Sequence, residues 1–245
     1  MNSELKDILF LDIETVAITD NFQSLDERLK VQWSRKASFF KQRDELSTDE
    51  QVFHQRAGIY AEFGKVVCIA VGKFYENEQH ELCLRTKFFA DENEFKVLSQ
   101  FRQLVEKKDL SNLKLCAHNG KEFDFPYLSR RMLINNIPLP AVLSLSGKKS
   151  WEIPHLDTME LWKFGDYKHY TSLDLLTAIF NIPSSKGSMD GSKVNDVYYK
   201  EKDLNKISIY CVADVVAVAQ LYLRLRGEPI VSPQHITSSN EQEKI

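Results

Sequence analysis

Several features that would mark other classes of protein are missing from this 245-residue chain. Its formal net charge is −3, so a nucleic-acid partner would have to be attracted by a local basic patch or by metal ions. Its four cysteines are far apart and form no C-x-x-C pair, which favours free, buried thiols in a reducing compartment. The N-terminus does not resemble a signal peptide, and no stretch approaches the roughly 18 consecutive apolar residues of a membrane span. These absences predict a cytoplasmic protein that does not bind a membrane.

Two nucleotide- and metal-binding motifs are present only in part. Residues 147–150, Gly-Lys-Lys-Ser, lack the first glycine and the preceding strand of a phosphate-binding loop, so they do not predict one. His118, His155 and His169 lack the spacing of zinc ligands, and His118 fits a turn residue beside a site better than a ligand. Neither motif supports a nucleotide-binding or zinc-binding function.

An apolar stretch followed by two acids lies near the N-terminus. Residues 8–11 are all apolar, which is typical of a strand that is covered on both faces. Asp12 and Glu14 follow, and both carboxylates would leave one face because side chains alternate across a strand. Burying two charges of the same sign costs free energy that a bound cation would offset. The alternative is a strand that ends at Leu11 and leaves both acids in solvent.

Two more acids occupy informative positions. Asp124 follows a predicted strand and starts a predicted helix, where it is either a helix cap or a site residue. Asp214 lies in the most apolar part of the predicted final helix, where an unpaired acid is costly. Tyr210 stands one turn earlier on the same face, so a hydrogen bond between the two is the plain alternative. Four converging carboxylates and a phenol describe a two-metal phosphodiesterase site, because carboxylates select hard cations such as Mg²⁺ or Mn²⁺.

A basic and aromatic stretch lies in a predicted helical insertion at about residues 18–62. Its helices, about 25–43 and 47–60, each begin with a capping box. Six basic residues and no acid lie between Arg28 and Arg43, with Trp33, Phe39 and Phe40 interleaved. Phosphates pair with cations and bases stack on rings, so the stretch suits single-stranded nucleic acid, with Arg35 and Lys36 as candidate contacts. The alternative is a solvated helix face whose aromatic residues pack on the body.

The rest of the chain predicts one mixed α/β domain over residues 1–228. Further strands are predicted at residues 65–72, 81–89, 113–117 and 155–161, and further helices from Asp91, at 124–134, at 171–180 and at 203–226. The first three strands should form an antiparallel meander, with the third near the sheet edge. The tail, residues 229–245, is polar and is predicted to be disordered or loosely attached.

A Ser/Gly-rich stretch over residues 183–194 is predicted to be a mobile loop. It carries Lys186 and Lys193 and lies between two predicted helices. If it closes over a bound strand, Lys186 is a candidate substrate contact. The alternative is a plain connector.

Three motifs in this order resemble those of the DEDD superfamily of 3′–5′ exonucleases, in its tyrosine-bearing subgroup. They are Leu-Asp-Ile-Glu-Thr at residues 11–15, the segment from Asn119 to Asp124, and Tyr-x-x-x-Asp at residues 210–214. The chain is most similar to the proofreading domain of family-B DNA polymerases and to stand-alone bacterial proteins described as predicted polymerase-B-like exonucleases. The resemblance extends over about residues 6–226.

This resemblance implies a ribonuclease H-like fold, a five-stranded mixed sheet flanked by helices. It implies two divalent ions, Mg²⁺ or Mn²⁺, and a tyrosine, Tyr210, that orients the attacking water. The implied metal ligands are Asp12, Glu14, Asp124 and Asp214. The implied contacts of the terminal nucleotide are Thr15 and Asn119, with Phe123 or Phe125 against its sugar or base.

The sequence therefore predicts a metal-dependent exonuclease that removes nucleotides from the 3′ end of single-stranded DNA. RNA trimming is the first alternative, since contact with a 2′-hydroxyl needs no distinctive motif. A non-catalytic nucleic-acid-binding protein is the second, although a binder gains nothing from four clustered negative charges near phosphates. At this length the chain has no room for a polymerase, so we expect any proofreading role to require a separate replication or repair partner.

Overall fold

The computed structural model describes residues 3–41, 47–107, 112–166, 170–184 and 189–242. Within them a six-stranded mixed sheet carries helices on both faces. The strands are β1 (Ile8–Ala17), β2 (Gly64–Glu76), β3 (Leu82–Ala90), β4 (Lys114–Ala117), β5 (Leu156–Asp157) and β6 (Ile236–Ser238). The helices are α1 (Ser3–Lys6), α2 (Glu27–Lys41), α3 (Asp49–Arg56), α4 (Glu94–Val105), α5 (Asp124–Ile134), α6 (Thr158–Lys163), α7 (Leu173–Ile179), α8 (Val194–Asp196), α9 (Leu204–Leu225) and α10 (Ser239–Gln242).

Strand β1 lies inside the sheet, whose strand order is β5-β4-β1-β2-β3-β6. It pairs antiparallel with β2, which pairs antiparallel with β3, so the predicted meander is confirmed. On its other side β1 pairs parallel with β4, which pairs parallel with β5. Because both edges and both faces of β1 are covered, Ile8, Phe10 and Leu11 are fully buried. The strand continues through Ala17, so the interpretation that it ends at Leu11 is wrong.

Helix α9 covers one face of the sheet and α4 and α5 cover the other. The Val215 side chain of α9 packs against β2 at Gly72, which has no side chain: a Cβ there would lie 2.8 Å from Val215 Cγ1. By length and hydropathy α9 would suffice to cross a membrane, yet 67% of its most apolar window is buried in this fold. Such burial is typical of a core helix. The four cysteines are free and buried, as predicted.

The helical insertion has a small core of its own. Trp33 of α2 is fully buried, donates a hydrogen bond from Nε1 to the Asp49 carbonyl (3.0 Å), and meets Phe53 and Phe63 edge-on. The alternative prediction, that aromatic residues of this stretch pack on the body, therefore holds for Trp33. Phe39 by contrast is 69% exposed. Residues 42–46, including Arg43, lie outside the described part.

Two predictions for the second half of the chain are wrong. The strand predicted over 155–161 ends at Asp157, because the Asp157 carboxylate accepts a hydrogen bond from Met159 N (2.9 Å) and caps α6. The tail, predicted to be disordered or loosely attached, contributes β6, which pairs parallel with β3. The sheet therefore has six strands where five were predicted, and β3, predicted near the sheet edge, lies next to the edge strand β6.

Candidate active site

Three elements bring the four acids of the sequence motifs close enough for their charges to interact. Strand β1 supplies Asp12 and Glu14, α5 begins with Asp124, and α9 carries Asp214. A carboxylate oxygen of Asp12, one of Glu14 and the sulfur of Cys211 all lie within 4.8 Å of one another. Asp12 is half-buried and the other three acids are at most 9% exposed.

The environment of Asp124 decides between its two sequence interpretations. Phe123, not Asp124, occupies the N-cap position of α5, so the helix-cap alternative is wrong. The Asp124 carboxylate instead accepts a hydrogen bond from the backbone N–H of Ile13, which lies between the two acids of β1. The helix thus begins with its acid turned toward β1.

Burial and mutual repulsion disfavour the ionised form of these acids. The pKa of Asp12 is well above its ordinary value, first through burial and then through the charges of Asp214, Glu14 and Asp124. Burial and the charge of Asp214 likewise hold the pKa of Glu14 well above its ordinary value. Burial raises the pKa of Asp124 to about 7, although hydrogen bonds from backbone N–H groups oppose the shift. A cation at this point would offset the repulsion.

The donor set fits hard divalent cations. Carboxylate oxygens suit Mg²⁺ and Mn²⁺, whereas thiolates select softer metals. Burial holds the pKa of the Cys211 thiol well above its ordinary value, so the group stays neutral, and its sulfur lies 3.4 Å from Asp12 Oδ2 as a hydrogen-bond donor. Cys211 therefore supports Asp12 and is not itself a ligand. Asp12, Glu14, Asp124 and Asp214 are the residues that would hold the ions.

Tyr210 completes the cluster from the same face of α9 as Asp214. Burial and the charge of Asp214 strongly raise the pKa of the phenol, which also hydrogen-bonds to the Asp214 carboxylate. The bond that was the plain alternative is therefore present, and it lies within the acid cluster. The side chain remains a neutral phenol that donates its proton.

The turn before Asp124 is held by an acid that the sequence analysis did not single out. Asp157 accepts hydrogen bonds from the backbone N–H of Asn119 (2.9 Å) and of Lys121 (3.1 Å). Asn119 has a left-handed backbone (φ 63°), and at Gly120 a Cβ would lie 2.4 Å from that of Ala117. The sequence indicates Asp157 only as a residue before a short helix. It gives no sign that the carboxylate binds backbone groups of a distant turn.

His118 ties the same turn to neighbouring elements. Both ring nitrogens form hydrogen bonds, Nδ1 with Thr158 Oγ1 (2.9 Å) and Nε2 with the Thr171 carbonyl (2.8 Å). Because a carbonyl oxygen can only accept, Nε2 is the donor in the second bond. Burial lowers its pKa, which favours the neutral ring. In the described residues, His118 thus acts as a turn residue beside the site, as predicted.

These residues line an open cavity of about 960 Å³. Of the predicted site residues its wall contains Asp12, Glu14, Thr15, Asn119, Phe123, Tyr210 and Asp214. Asp124 lies just beneath it and is 3% exposed. Phe125 is fully buried beside His155, so the predicted contact with a nucleotide is wrong for Phe125. Arg35 and Lys36 line a separate cleft, and Lys186 lies outside the described residues.

The wall also contains residues that the sequence did not indicate. Tyr170 is 67% exposed there, and His54 and Arg56 reach the cavity from α3. His54 Nε2 lies 2.9 Å from Oδ1 of Asp196 on α8, so the insertion meets the opposite wall. No local pattern marks these side chains, because their positions depend on how the insertion docks.

Comparison with known proteins agrees with this arrangement. Residues 59–239 match the family described as predicted 3′–5′ exonucleases related to the exonuclease domain of PolB. The match begins after Asp12 and Glu14, so their place beside Asp124 and Asp214 rests on the structure. Comparison with curated proteins finds no match.

A solved structure has a similar fold. It is the family B DNA polymerase from the hyperthermophilic archaeon Pyrobaculum calidifontis, with a TM-score of 0.54 and 16% identity over 89% of this chain and 24% of that chain. The chain thus spans about a quarter of that polymerase. At this identity the likeness shows the fold alone, and the predicted ribonuclease H-like α/β fold is confirmed. Because the family match covers most of the sequence, the chain belongs to the family of predicted 3′–5′ exonucleases related to the exonuclease domain of PolB.

Proposed function

We propose that this protein removes nucleotides one at a time from the 3′ end of single-stranded DNA, with two divalent ions as cofactors. The observation that carries the proposal is the convergence of four acids, three of them with raised pKa values, beside a neutral tyrosine in an open cavity. Bound cations would offset the repulsion between carboxylates that the fold holds together in this way. Metal dependence is general in DEDD-type exonucleases.

The four acids have the task of holding the ions, Mg²⁺ or Mn²⁺. When bound, such a pair supplies activation of a water and stabilisation of the leaving 3′ oxygen. The Tyr210 hydroxyl donates a hydrogen bond to the Asp214 carboxylate, and the same hydroxyl orients the attacking water. Because its pKa is strongly raised, Tyr210 does not take up the proton of that water.

The terminal nucleotide would lie against the wall formed by Thr15, Asn119 and Phe123. Asn119 Oδ1 is buried without a hydrogen-bond partner among the described residues, and a nucleotide hydroxyl would supply one. Phe123 is half-buried against Tyr127 (5.3 Å between ring centroids) and also lines the cavity. A fixed ring suits stacking with a sugar or base.

The test is degradation of 5′-labelled single-stranded DNA and RNA by the wild type and Asp214→Asn, with Mn²⁺ or with EDTA. We expect stepwise shortening of DNA from the 3′ end with Mn²⁺ only, and loss of that activity in Asp214→Asn, which keeps the shape but removes a ligand charge. Glu201→Gln, which removes one exposed carboxylate far from the cluster, is the matched control.

Absence of metal-dependent shortening in the wild type would contradict the enzyme. Full activity of Asp214→Asn would contradict the site. Faster shortening of RNA than of DNA would replace the proposed substrate with the first alternative, because the same chemistry serves both.

A further inference from the structure

The cavity lined by Asp12, Glu14 and Asp214, called the acid cavity below, has few positive charges to bind a polyanionic substrate. Among the described residues that line it, Arg56 is the only lysine or arginine. Bound ions would balance the acids at the scissile phosphate, but the next phosphates of the strand need cations of their own. Arg56 ends α3 and its side chain is exposed, so it marks the side from which a strand would enter.

From Arg56 a continuous series of cation and ring contacts crosses the insertion. The guanidinium carbon of Arg56 lies 4.9 Å from the ring centroid of Phe40, and that ring lies 6.3 Å from the ring of Tyr60. The ammonium of Lys36 lies 3.8 Å from the Tyr60 centroid. Such contacts orient a cation without neutralising it. The series therefore connects the cavity with the exposed side of α2.

Lys36 opens onto a second cleft, of about 550 Å³, which also contains Arg35 and the exposed ring of Phe39. In the part of the chain that the structure describes, Arg35, Lys36 and Arg56 form no ion pair with a carboxylate. Other cations of α2 do: Lys30 pairs with Glu27 (2.7 Å) and Lys41 pairs with Asp49. Arg28 near the start of α2 also forms no ion pair among the described residues, but it lines neither cleft. The unpaired cations that line the cavity or the second cleft are Arg35, Lys36 and Arg56.

We propose that this series of cations and rings is a binding track for single-stranded nucleic acid, which holds the nucleotides upstream of the 3′ end in the acid cavity. The basic track comprises Arg56, Phe40, Tyr60, Lys36, Arg35 and Phe39. The cations contact phosphates, and the exposed ring of Phe39 offers a stacking face for a base. The proposal rests on the function proposed above, and it assigns a role to helices that lie outside the residues of the family match.

One acid in the second cleft gives the proposal a test of opposite sign. Glu62 is exposed and lines this cleft beside Arg35 and Lys36. If phosphates pass here, the Glu62 charge repels them. Glu62→Gln should therefore tighten binding, whereas removal of cations should weaken it. If nucleic acid does not bind at this cleft, neither Glu62→Gln nor the removal of cations should change the affinity.

The experiment measures the affinity for labelled oligo(dT) of about 20 nucleotides at several salt concentrations, in EDTA so that the DNA stays intact. In the triple variant Arg35→Ala/Lys36→Ala/Arg56→Ala we expect at least a tenfold weaker affinity. The salt slope should flatten by about 0.7 for each phosphate that the variant no longer neutralises, roughly 2 for the three cations together. Glu62→Gln should bind two- to threefold more tightly. The control Lys96→Ala removes an exposed charge from α4 and should match the wild type.

The second readout is hydrolysis of a long strand compared with a dinucleotide, both with Mn²⁺. The triple variant should lose at least ten times more kcat/KM on the long strand than on the dinucleotide, which is too short to reach the basic track. Unchanged affinity and salt slope in the triple variant would overturn the basic track even if the wild type hydrolyses DNA. Weakened binding in a protein that hydrolyses nothing would instead keep the basic track and reject the proposed function.

Discussion

The hydroxyl group of Tyr210 is held as a neutral hydrogen-bond donor by its surroundings. Burial and the charge of Asp214 raise the pKa of the phenol so far that a phenolate does not form at working pH. Loss of the hydroxyl therefore removes a positioned donor and not a base. We expect Tyr210→Phe to lower the single-turnover rate roughly 10- to 1,000-fold, without the complete loss expected for Asp214→Asn. Single-turnover degradation of DNA with a free 3′ end measures both.

The same helix provides a matched control for this prediction. Tyr222 also lies on α9, is buried, and its hydroxyl accepts a hydrogen bond from Arg226 Nη1 (3.3 Å). Tyr222→Phe removes an identical group from the same element at a distance from the acids, so its single-turnover rate should equal that of the wild type. If both variants slow hydrolysis equally, the effect comes from the packing of α9 and Tyr210 has no special role.

The residues that the sequence identified differ physically from those that it missed. Asp12, Glu14 and Asp214 each stand in an apolar stretch, so the cost of burying a charge is visible locally. Asp157 looks like an ordinary residue at a helix start, and its partner backbone groups lie 36 and 38 residues away. Arg56 likewise gains its position only through the docking of the insertion. Local sequence therefore reveals which acids are anomalous, but not which ordinary residues surround them.

Two helices with strong local signals agree with their predictions. Helix α5 spans Asp124–Ile134 as predicted, and Asp203 caps α9. Strand β6 had no such signal, because it is only three residues long and forms by pairing with the open edge of β3. The Asn240 amide then bridges the Phe88 backbone, accepting from its N–H (2.9 Å) and donating to its carbonyl (3.1 Å). These contacts are tertiary, so composition alone favoured a loose tail.

The Asn240 bridge allows a direct test of the attachment of the tail. Asn240→Ala removes two hydrogen bonds that contribute about 0.5–1.5 kcal/mol each, so we expect the free energy of unfolding to fall by about 1–3 kcal/mol. Urea denaturation measures it, with Asn205→Ala, an exposed position on α9, as the control. Hydrolysis should be unchanged, since Asn240 lies at the far side of β3 from the acids. Equal stability of the two variants would mean that the tail is not fixed by this contact.

At the scale of the whole molecule, the acid cluster is a destabilising feature that folding itself creates. Asp12 and Asp214 are distant in sequence, so their carboxylates repel each other only in the native state. A carboxyl group with a raised native pKa binds its proton more tightly in the native than in the unfolded protein. The free energy of unfolding therefore falls as pH rises from the ordinary value, about 4, through the raised one, which for Asp124 is about 7.

Other groups with shifted pKa values act differently over this range. Hydrogen bonds from Ser192 and a neighbouring lysine lower the pKa of Asp190, but this stabilisation is complete above the ordinary pKa of about 4. Burial lowers the pKa of His118 and of His155, so these rings make the protein more stable as pH rises through about 6.5. A pH scan of the wild type alone would mix these opposing effects, and a variant that keeps both histidines separates them.

We therefore expect the metal-free wild type to lose more stability between pH 5 and pH 8 than Asp124→Asn, because the variant lacks one acid of the cluster and keeps both histidines. Mn²⁺ binds the ionised acids of the native state alone, so it should raise the melting temperature of the wild type far more at pH 8 than at pH 5. In Asp124→Asn this gain should be much smaller, since a ligand is missing. Melting curves in EDTA and in millimolar Mn²⁺ at both pH values measure the three quantities. Curves that coincide with and without metal at pH 8 would mean that the cluster binds no cation, and equal pH dependence of the two proteins would mean that Asp124 ionises freely in the native state.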